Sequence, residues 1–203
     1  MTKAMGRASH SEGINSESNG KYSHAEGFQT YANGTGSHSE GVYSKAIGEY
    51  SHSEGNRTQA IGINSKSSGY KTKAIGNQTV SLGNQTRASG ENSIAAGYDS
   101  EAEGYASGAF GESTLVQGSC AFAFGRGTKA YQDCQYVVGR YNYPKWHNIF
   151  EVGNGSSDED RKNAFEVRRD GRAKVQSAPV DNDDVVRLKE LSILTQEQVD
   201  LLF

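Results

Sequence analysis

The sequence predicts an all-β fold, a parallel β-roll (solenoid) of 14-residue coils, and three observations carry this prediction. First, a glycine occupies every seventh position in an unbroken series of eighteen. Second, Ser or Thr follows each glycine by three residues and Ala or Ser follows it by five, with one exception at each offset. Third, the segments SHSEG or SHAEG recur 14 residues apart. The phased glycines are Gly6, Gly13, Gly20, Gly27, Gly34, Gly41, Gly48, Gly55, Gly62, Gly69, Gly76, Gly83, Gly90, Gly97, Gly104, Gly111, Gly118 and Gly125.

Each heptad is expected to contribute one strand of about four residues and one corner. Small residues at offsets three and five from the glycine alternate with larger ones at offsets four and six, which is the two-residue period of a strand. Glycine is expected at the corner, where a positive φ or a close backbone approach is needed. Because the heptads differ in pairs, one coil contains two strands and two corners. Nine such coils, at ~4.8 Å each, would form a thin rod about 40 Å long.

Three other kinds of chain with similar repeats or composition do not fit. A coiled coil needs large apolar residues at two positions of every heptad and does not accommodate a glycine in every second turn. Collagen needs glycine at every third residue and abundant proline, whereas this chain contains 2 prolines. Disordered Gly- and Ser-rich segments share the composition, but disorder does not require strict phasing. The phased repeat therefore indicates a folded solenoid.

The composition of the 203-residue chain argues against several classes of protein. The apolar fraction of 34% and the mean hydropathy of −0.73 are too low for the core of a conventional globular enzyme. With 21 basic and 24 acidic residues the charges nearly balance, so we expect no nucleic-acid partner. Two cysteines are too few for a disulfide scaffold or a structural zinc site. We find no membrane-helix segment and no secretory leader, and expect neither membrane insertion nor Sec-type export.

The outward positions of the coils predict one apolar face and one solvated face. Apolar residues, large at all positions but Ala96 and Gly108, occupy offsets four and six in alternate heptads from Gly76 to Gly118, whereas offset four of the intervening heptads is usually polar. A long apolar face must be buried, and a threefold bundle of identical chains suits a thin roll, so the sequence predicts a homotrimer. The predicted apolar trimer core comprises Val80, Leu82, Ile94, Phe110, Phe122 and Phe124, and the predicted solvated positions are Glu17, Lys45, Gln59, Lys73, Arg87, Glu101 and Lys129.

The paired heptads also resemble a known family. GKYSHAEGFQTYANG (20–34) and GNQTVSLGNQTRASG (76–90) resemble the head repeats of YadA-type trimeric autotransporter adhesins, which also occur in trimeric phage tail fibres. The resemblance covers about residues 6–131. It implies a left-handed parallel β-roll assembled as a homotrimer, and a role in attachment. The chain departs from the adhesins in showing no export signal, no long coiled-coil stalk and no C-terminal membrane-barrel segment.

Three regions are predicted along the chain. Residues 1–131 form the trimeric β-roll, residues 132–178 a transition and a small β cap, and residues 179–203 an acidic linker and a short helical tail. The glycine phase is lost at Gln132 and Trp146, which sets the first boundary.

Within the second region, Ile149–Val152 and Ala164–Val167 have strand character, with turn chemistry after each. The pattern F-x-V-G-N-G followed by R-x-N-A-F-x-V-x-x-D-G is similar to segments of phage and prophage tail-fibre proteins. This similarity shifts the expected role from adhesin towards phage fibre.

In the third region, apolar residues at helical spacing and the capping-box candidate Thr195-x-x-Gln198 predict one or two short helices. The acidic residues from Asp181 to Asp184 are expected to form a solvated linker, since they lack the glycine and spaced glutamate of a calcium loop.

Histidines and glutamates of the early coils form a further set, called the His/Glu ladder: His10, Glu12, His24, Glu26, His38, Glu40, His52 and Glu54. Their heptads have the same parity as the apolar set, so we expect them to face the threefold axis. Two interpretations stay open. Rings of histidine bind ions and titrate near neutral pH, which suggests an axial ion or pH-sensitive site. The favoured alternative is a polar trimer core of His–Glu hydrogen bonds and water that fixes register, with no metal and no cofactor.

A polysaccharide depolymerase would use a pair of carboxyl groups as acid and base. The repeated glutamates occupy equivalent positions, whereas a catalytic pair needs one unique environment with divergent pKa values. We therefore expect no catalytic residues and no enzyme activity. Cys120 and Cys134 are 14 residues apart, and we expect them to stack in adjacent coils as free, semi-buried thiols.

Aromatic residues supply the remaining candidate contacts. Tyrosines next to the corners are expected at the edges of the roll, either exposed as binding platforms or packed between protomers. They are Tyr22, Tyr43, Tyr50, Tyr70, Tyr98 and Tyr105. Tyr143, Trp146 and His147 form a candidate lateral surface-binding patch at the transition to the cap.

Together these features predict a structural and receptor-binding segment of a trimeric phage or prophage-derived tail fibre, located in the virion and mediating attachment to the host cell. The expected partners are two further copies of the chain, a host-surface glycan or protein, and other tail or baseplate proteins. The alternatives are the head of a trimeric adhesin on the bacterial cell surface and, less favoured, a depolymerase.

Overall fold

The computed structural model describes residues 1–178 and 180, and over these residues the chain is a β-solenoid without a helix. Two sheets lie back to back, one of ten strands and one of thirteen. Eleven strands of the longer sheet are parallel, so the solenoid has about eleven turns. No helix long and apolar enough to cross a bilayer occurs in the part of the chain described. The predicted C-terminal helix falls at residues outside the described part.

The strands alternate between the sheets. The short sheet contains β1 (Lys3–Ala4), β3 (Glu17–Ser18), β5 (Tyr31–Ala32), β7 (Lys45–Ala46), β9 (Gln59–Ala60), β11 (Lys73–Ala74), β13 (Arg87–Ala88), β15 (Glu101–Ala102), β17 (Leu115–Val116) and β19 (Lys129–Ala130). The long sheet contains β2 (His10–Ile14), β4 (His24–Phe28), β6 (His38–Val42), β8 (His52–Asn56), β10 (Lys66–Tyr70), β12 (Val80–Asn84), β14 (Ile94–Tyr98), β16 (Gly108–Glu112), β18 (Phe122–Arg126), β20 (Tyr136–Arg140), β21 (Asn148–Asn154), β22 (Asn163–Arg168) and β23 (Ala173–Val175).

The 14-residue coil predicted from the sequence is confirmed. Each strand from β1 to β20 pairs in parallel with the strand one coil away, and paired residues are 14 positions apart, as His24 and His38 are. The expectation of equal strands of about four residues is wrong. The strands of the long sheet up to β20 have five residues and those of the short sheet have two. The long strands run through the glycine of every second heptad, so Gly13 and its counterparts lie inside a strand rather than at a corner.

The interior is as thin as predicted and consists mainly of Ser, Thr and Ala, with valine at Val116 and Val137. The residues at offsets three and five are buried from Ser16 onward. Hydroxyl groups join the two sheets across the interior: Ser53 and Thr58 lie 2.8 Å apart and Ser67 and Thr72 likewise 2.8 Å apart. In several alternate heptads the hydroxyl at offset three also donates to the carbonyl of the preceding glycine, as Ser51 does to Gly48 at 2.7 Å. These bonds satisfy buried polar groups and so explain Ser and Thr at inward positions.

The phased glycines are required by close approach between coils. A Cβ built on any of them from Gly6 to Gly125 would lie 1.8–2.6 Å from the carbonyl oxygen of the residue 14 positions later. Even a methyl group at these positions would clash with the backbone of the next coil.

Positive φ occurs at two kinds of position: at every second phased glycine, those inside the long strands such as Gly13, and throughout the roll at offset two. Eighteen non-glycine residues there, among them Asn15 and Asn64, adopt φ between +41° and +59°, and Gly36 and Gly127 complete the series. At most of these corners the backbone N–H donates to a carbonyl of the preceding coil, as Tyr22 does to Arg7 at 2.9 Å. Of the two expected reasons for the phased glycines, close backbone approach applies to all eighteen and positive φ to nine, whereas the corners at offset two are formed mostly by other residues.

The cap grows out of the long sheet. β21 pairs in parallel with β20, β22 is antiparallel to β21, and β23 is antiparallel to β22. These strands include both segments that the sequence predicted as strands. The short sheet ends at Ala130, whereas the long sheet continues into the cap.

Candidate functional site

The outer face of the long sheet brings the predicted site residues together in two adjacent rows, called the outer columns. The first column runs through His10, His24, His38, His52, Lys66, Val80, Ile94, Gly108, Phe122 and Tyr136. The second runs through Glu12, Glu26, Glu40, Glu54, Ser68, Leu82, Ala96, Phe110, Phe124 and Val138. Parallel pairing repeats each side chain on the same face, so the His/Glu ladder and the apolar residues form one continuous surface.

The apolar part of the outer columns is a stack of aromatic and aliphatic side chains. The rings of Phe110 and Phe124 stack with centroids 5.0 Å apart, and those of Phe122 and Tyr136 stack at 5.4 Å. The glycine within the stack, Gly108, is buried, and a Cβ there would lie 2.6 Å from atoms of Phe110 and Phe122. The two rings thus fill the space that a side chain would need.

Large apolar surface remains exposed on this face in the single chain. Ile94 is 39% exposed, Phe124 42% and Tyr136 48%. Exposed apolar residues aligned in adjacent coils form a contiguous patch, which is typical of an interaction surface.

In the His/Glu ladder the imidazole rings stack along the rod. The ring centroids of His24 and His38, and those of His38 and His52, are 4.8 Å apart. Within a coil, His52 Nε2 lies 3.2 Å from a carboxylate oxygen of Glu54. Burial is partial: these side chains are about one third exposed from the second coil onward.

The ladder ends at the coil that carries Lys66 and Ser68. Lys66 Nζ lies 3.8 Å from a carboxylate oxygen of Glu54, and Ser68 Oγ donates a hydrogen bond to its other oxygen at 2.5 Å. The Ser68 hydrogen bond, then the positive charge of Lys66, outweigh the effect of burial and lower the pKa of Glu54. The column of carboxylates therefore ends beside the ammonium group of Lys66.

Basic side chains cluster on the outer face of the short sheet around its middle strands. Arg57, Lys71, Lys73 and Arg87 line a shallow groove of about 460 Å³, with Glu101 at its edge. The predicted solvated positions on this face are half-buried or exposed in the single chain. The two faces of the roll thus differ in chemistry as well as in strand length.

Two of the candidate residues at the transition, Tyr143 and Trp146, line different concavities that share Lys145. Tyr143 lines a cleft of about 400 Å³ with Lys145, Arg161 and Glu166. Trp146, which is 75% exposed, lines a separate small groove beside Gln132.

The edge tyrosines and the cysteines are exposed in the single chain. The six tyrosines of the corners are 37–62% exposed. Cys120 and Cys134 are free thiols in successive coils, but both are exposed rather than semi-buried. The cysteines occupy offset two, the left-handed corner, where side chains leave the roll.

A polar cluster that sequence reasoning missed closes the end of the roll. Glu151 and Glu166 are fully buried and face each other across β21 and β22. Glu151 accepts hydrogen bonds from the side-chain amides of Asn142 and Asn148, and Glu166 is bonded by the Lys145 ammonium group. Burial, the largest effect, raises the pKa of Glu151 despite these bonds.

A repeated motif marks this cluster in the sequence. The segment N-x-F-E-V occurs at 148–152 and again at 163–167, and in each copy the Asn side chain donates to the Glu three residues later. The motif shows which residues pair locally, whereas the face-to-face placement of the two glutamates depends on strand register.

Comparison with known proteins agrees with this geometry. The family model of the YadA head domain repeat matches the chain twice, at residues 74–100 and 88–115. The two matches begin one 14-residue coil apart, in the part of the roll where the outer columns are apolar. The chain matches no curated protein. The coil length, the inward Ser, Thr and Ala, and this match in phase with the coils show that the chain contains YadA-like head repeats.

Proposed function

We propose that three copies of this chain form a rigid attachment rod, a segment of a phage or prophage-derived tail fibre that contacts the host-cell surface. The observation that carries the proposal is the exposed apolar stretch of the outer columns, from Val80 to Tyr136. The roll interior buries only small side chains, so the large apolar residues gain burial by contact with further copies of the chain.

Three copies are favoured over two by the match to YadA head repeats, because heads of this type form homotrimers. A closed threefold arrangement lets each thin roll turn one face inward and leaves no copy with an unpaired apolar face. The basic groove of the short sheet then faces outward. Its guanidinium and ammonium groups suit an anionic surface glycan, with three equivalent sites adding avidity.

The head of a trimeric adhesin on the bacterial cell surface is the second candidate, and the YadA head match favours it. The phage assignment is supported by the cap, whose sequence pattern is similar to tail-fibre segments. Genes for baseplate or tail proteins beside this gene would favour the fibre. A membrane-anchor segment encoded downstream in the same gene would favour the adhesin.

The first experiment is the mass of the purified chain in dilute solution by light scattering. We expect the mass of three chains, and a stable, folded single chain would contradict the proposal. The trimer is then tested for binding to candidate host cells, where we expect saturable binding that weakens in Lys73→Glu. We also propose that the protein has no catalytic activity. The chain length of host capsular polysaccharide should therefore stay unchanged on incubation with the same preparation.

A further inference from the structure

We propose that the His/Glu ladder binds divalent transition-metal ions, with Zn²⁺ as the representative, through ligands from successive coils of one chain. Three groups of side chains bring their donor atoms within 4.8 Å of one another. They are His10, Glu12 and His24; Glu26, His38 and Glu40; and Glu40, His52 and Glu54. Because each group lies within one chain, the inference does not depend on the proposed trimer.

The spacing of the donor atoms fits a shared ion. Two ligands that are each about 2.0–2.2 Å from a tetrahedral Zn²⁺ lie about 3.3 Å from each other. The distance from the His Nε2 to a Glu carboxylate oxygen of the same coil is 3.2–3.8 Å along the ladder. Small rotations of these partly exposed side chains bring the pairs to that separation.

Hydrogen bonding does not account for the same atoms. The Nε2 atoms of His24, His38 and His52 are shielded from solvent and have no hydrogen-bond partner. A shielded nitrogen without a partner costs free energy, and coordination to a metal ion would satisfy it.

Charge also favours a cation in the ladder. Four carboxylates line one column within four coils, a concentration of negative charge that attracts a cation. The next coil supplies Lys66, whose ammonium group lies where the ladder ends. Imidazole nitrogen with carboxylate oxygen is a donor set that suits Zn²⁺ and its neighbours better than Ca²⁺ or Mg²⁺.

The two inner groups are expected to bind most tightly. They share Glu40, whose two oxygens face His38 and His52 at 3.8 Å and 3.9 Å. Their side chains are about one third exposed, whereas His10 and Glu12 at the first coil are 65% and 61% exposed. Glu40 is thus the single residue whose loss affects both inner groups.

The test is metal binding by tag-free protein stripped with chelator. Equilibrium dialysis against ZnCl₂ gives the affinity and stoichiometry, and the visible spectrum of added Co²⁺ reports nitrogen and oxygen coordination. For Glu40→Gln and His38→Gln we expect at least a tenfold rise in the Kd for Zn²⁺ and a weaker Co²⁺ spectrum. Glu101→Gln on the short sheet and His147→Gln near the cap are the matched controls and should bind as the parent chain does.

Two results would overturn the inference: no Zn²⁺ binding by the parent chain, or parental affinity in both ladder variants. Circular dichroism and thermal unfolding in EDTA establish that each variant is folded before its affinity is compared. The oligomeric mass measured in EDTA reports separately on the trimer, so failure of the metal site and failure of the proposed assembly are distinguishable.

Discussion

At the scale of single residues, contact between coils requires glycine at all eighteen heptad positions, and a positive φ is a second requirement at the nine that lie inside the long strands. Gly62 has no positive φ, yet a Cβ on it would lie 1.9 Å from the carbonyl oxygen of Gly76. Corner residues with φ near +55° are mostly not glycine, so the left-handed conformation is supplied by Asn, Gln, Tyr and others. The seven-residue period therefore reflects the two places in each coil where the backbones of adjacent coils come closest.

Replacement of Gly62 by Ala is expected to destabilise the roll strongly. The added methyl group forces two coils apart, and overpacking against backbone costs about 3 kcal/mol or more. Thermal and denaturant unfolding, followed by circular dichroism, measure the loss.

Gly36→Asn is the control for that substitution. Gly36 lies at offset two, where Asn15 and Asn64 adopt the same conformation, and a new Cβ would meet only the exposed ring of Tyr50. A small effect is expected there. Equal losses in Gly62→Ala and Gly36→Asn would refute the explanation by coil stacking.

At the scale of elements, β21 and β22 carry two buried glutamates whose pKa values move in opposite directions. The pKa of Glu151 is raised, chiefly by burial. Burial would also raise the pKa of Glu166, but the hydrogen bonds from Lys145 and Asn163 and the charge of Lys145 outweigh it, and the pKa is lowered. The two strands thus close the roll with a cluster that holds one carboxyl group more readily protonated than the other.

These directions predict opposite pH profiles for Glu151→Gln and Glu166→Gln. A raised pKa contributes stability that is present below the ordinary value of 4.5 and lost as the pH rises through the raised pKa. The stability advantage of the parent chain over Glu151→Gln should therefore shrink above pH 4.5. A lowered pKa contributes stability that is present above 4.5 and lost as the pH falls through the lowered pKa, so the advantage over Glu166→Gln should shrink below pH 4.5.

Denaturant unfolding of the three proteins from about pH 3 to pH 7 measures both profiles, and each variant controls for the other. If the stability of the two variants changes with pH in the same way, the pKa values of the two glutamates do not shift in opposite directions.

At the scale of the whole molecule, the two faces of the roll have different roles in the proposed assembly. Ile94 and Ile47 are similarly exposed in the single chain, at 39% and 41%, but Ile94 lies in the outer columns and Ile47 follows β7 of the short sheet. Substitutions at these two positions therefore distinguish the effect of losing any exposed apolar residue from the effect of losing one interface.

Ile94→Glu is expected to reduce the mass in dilute solution from three chains to one, because it places a charge in the apolar face that copies must share. Ile47→Glu should keep the mass of three chains. Light scattering of both variants, with circular dichroism to confirm that the roll is folded, makes the comparison. A trimer that persists in Ile94→Glu would show that the outer columns are not the trimer interface.

Much of the fold follows from spacing in the sequence. The 14-residue repeat predicts the register of every parallel pair from β1 to β20, and two-residue alternation predicts which side chains are buried. The position of His38 and Ile94 in one column follows from the same 14-residue spacing. Strand length does not, because the two heptads of a coil have similar composition and only the path of the backbone distinguishes five residues from two.

The chemistry of the site is less predictable. The repeat alone predicts that His38 and Glu40 lie on the same face. That the Nε2 atom of His38 has no hydrogen-bond partner depends on side-chain distances, which only the structure gives. The cap cluster depends on contacts between residues distant in sequence, such as the bond from Lys145 to Glu166.

The amino-acid sequence by itself determined the coil, its thin interior and the sharing of one face by histidine, glutamate and aromatic residues, because a strict period fixes neighbours once strands pair in parallel. Only the tertiary structure decided which backbone positions are left-handed, why each phased glycine has no substitute, and how Glu151 and Glu166 close the roll. Those features arise from distances between coils and across antiparallel strands, which no local pattern encodes.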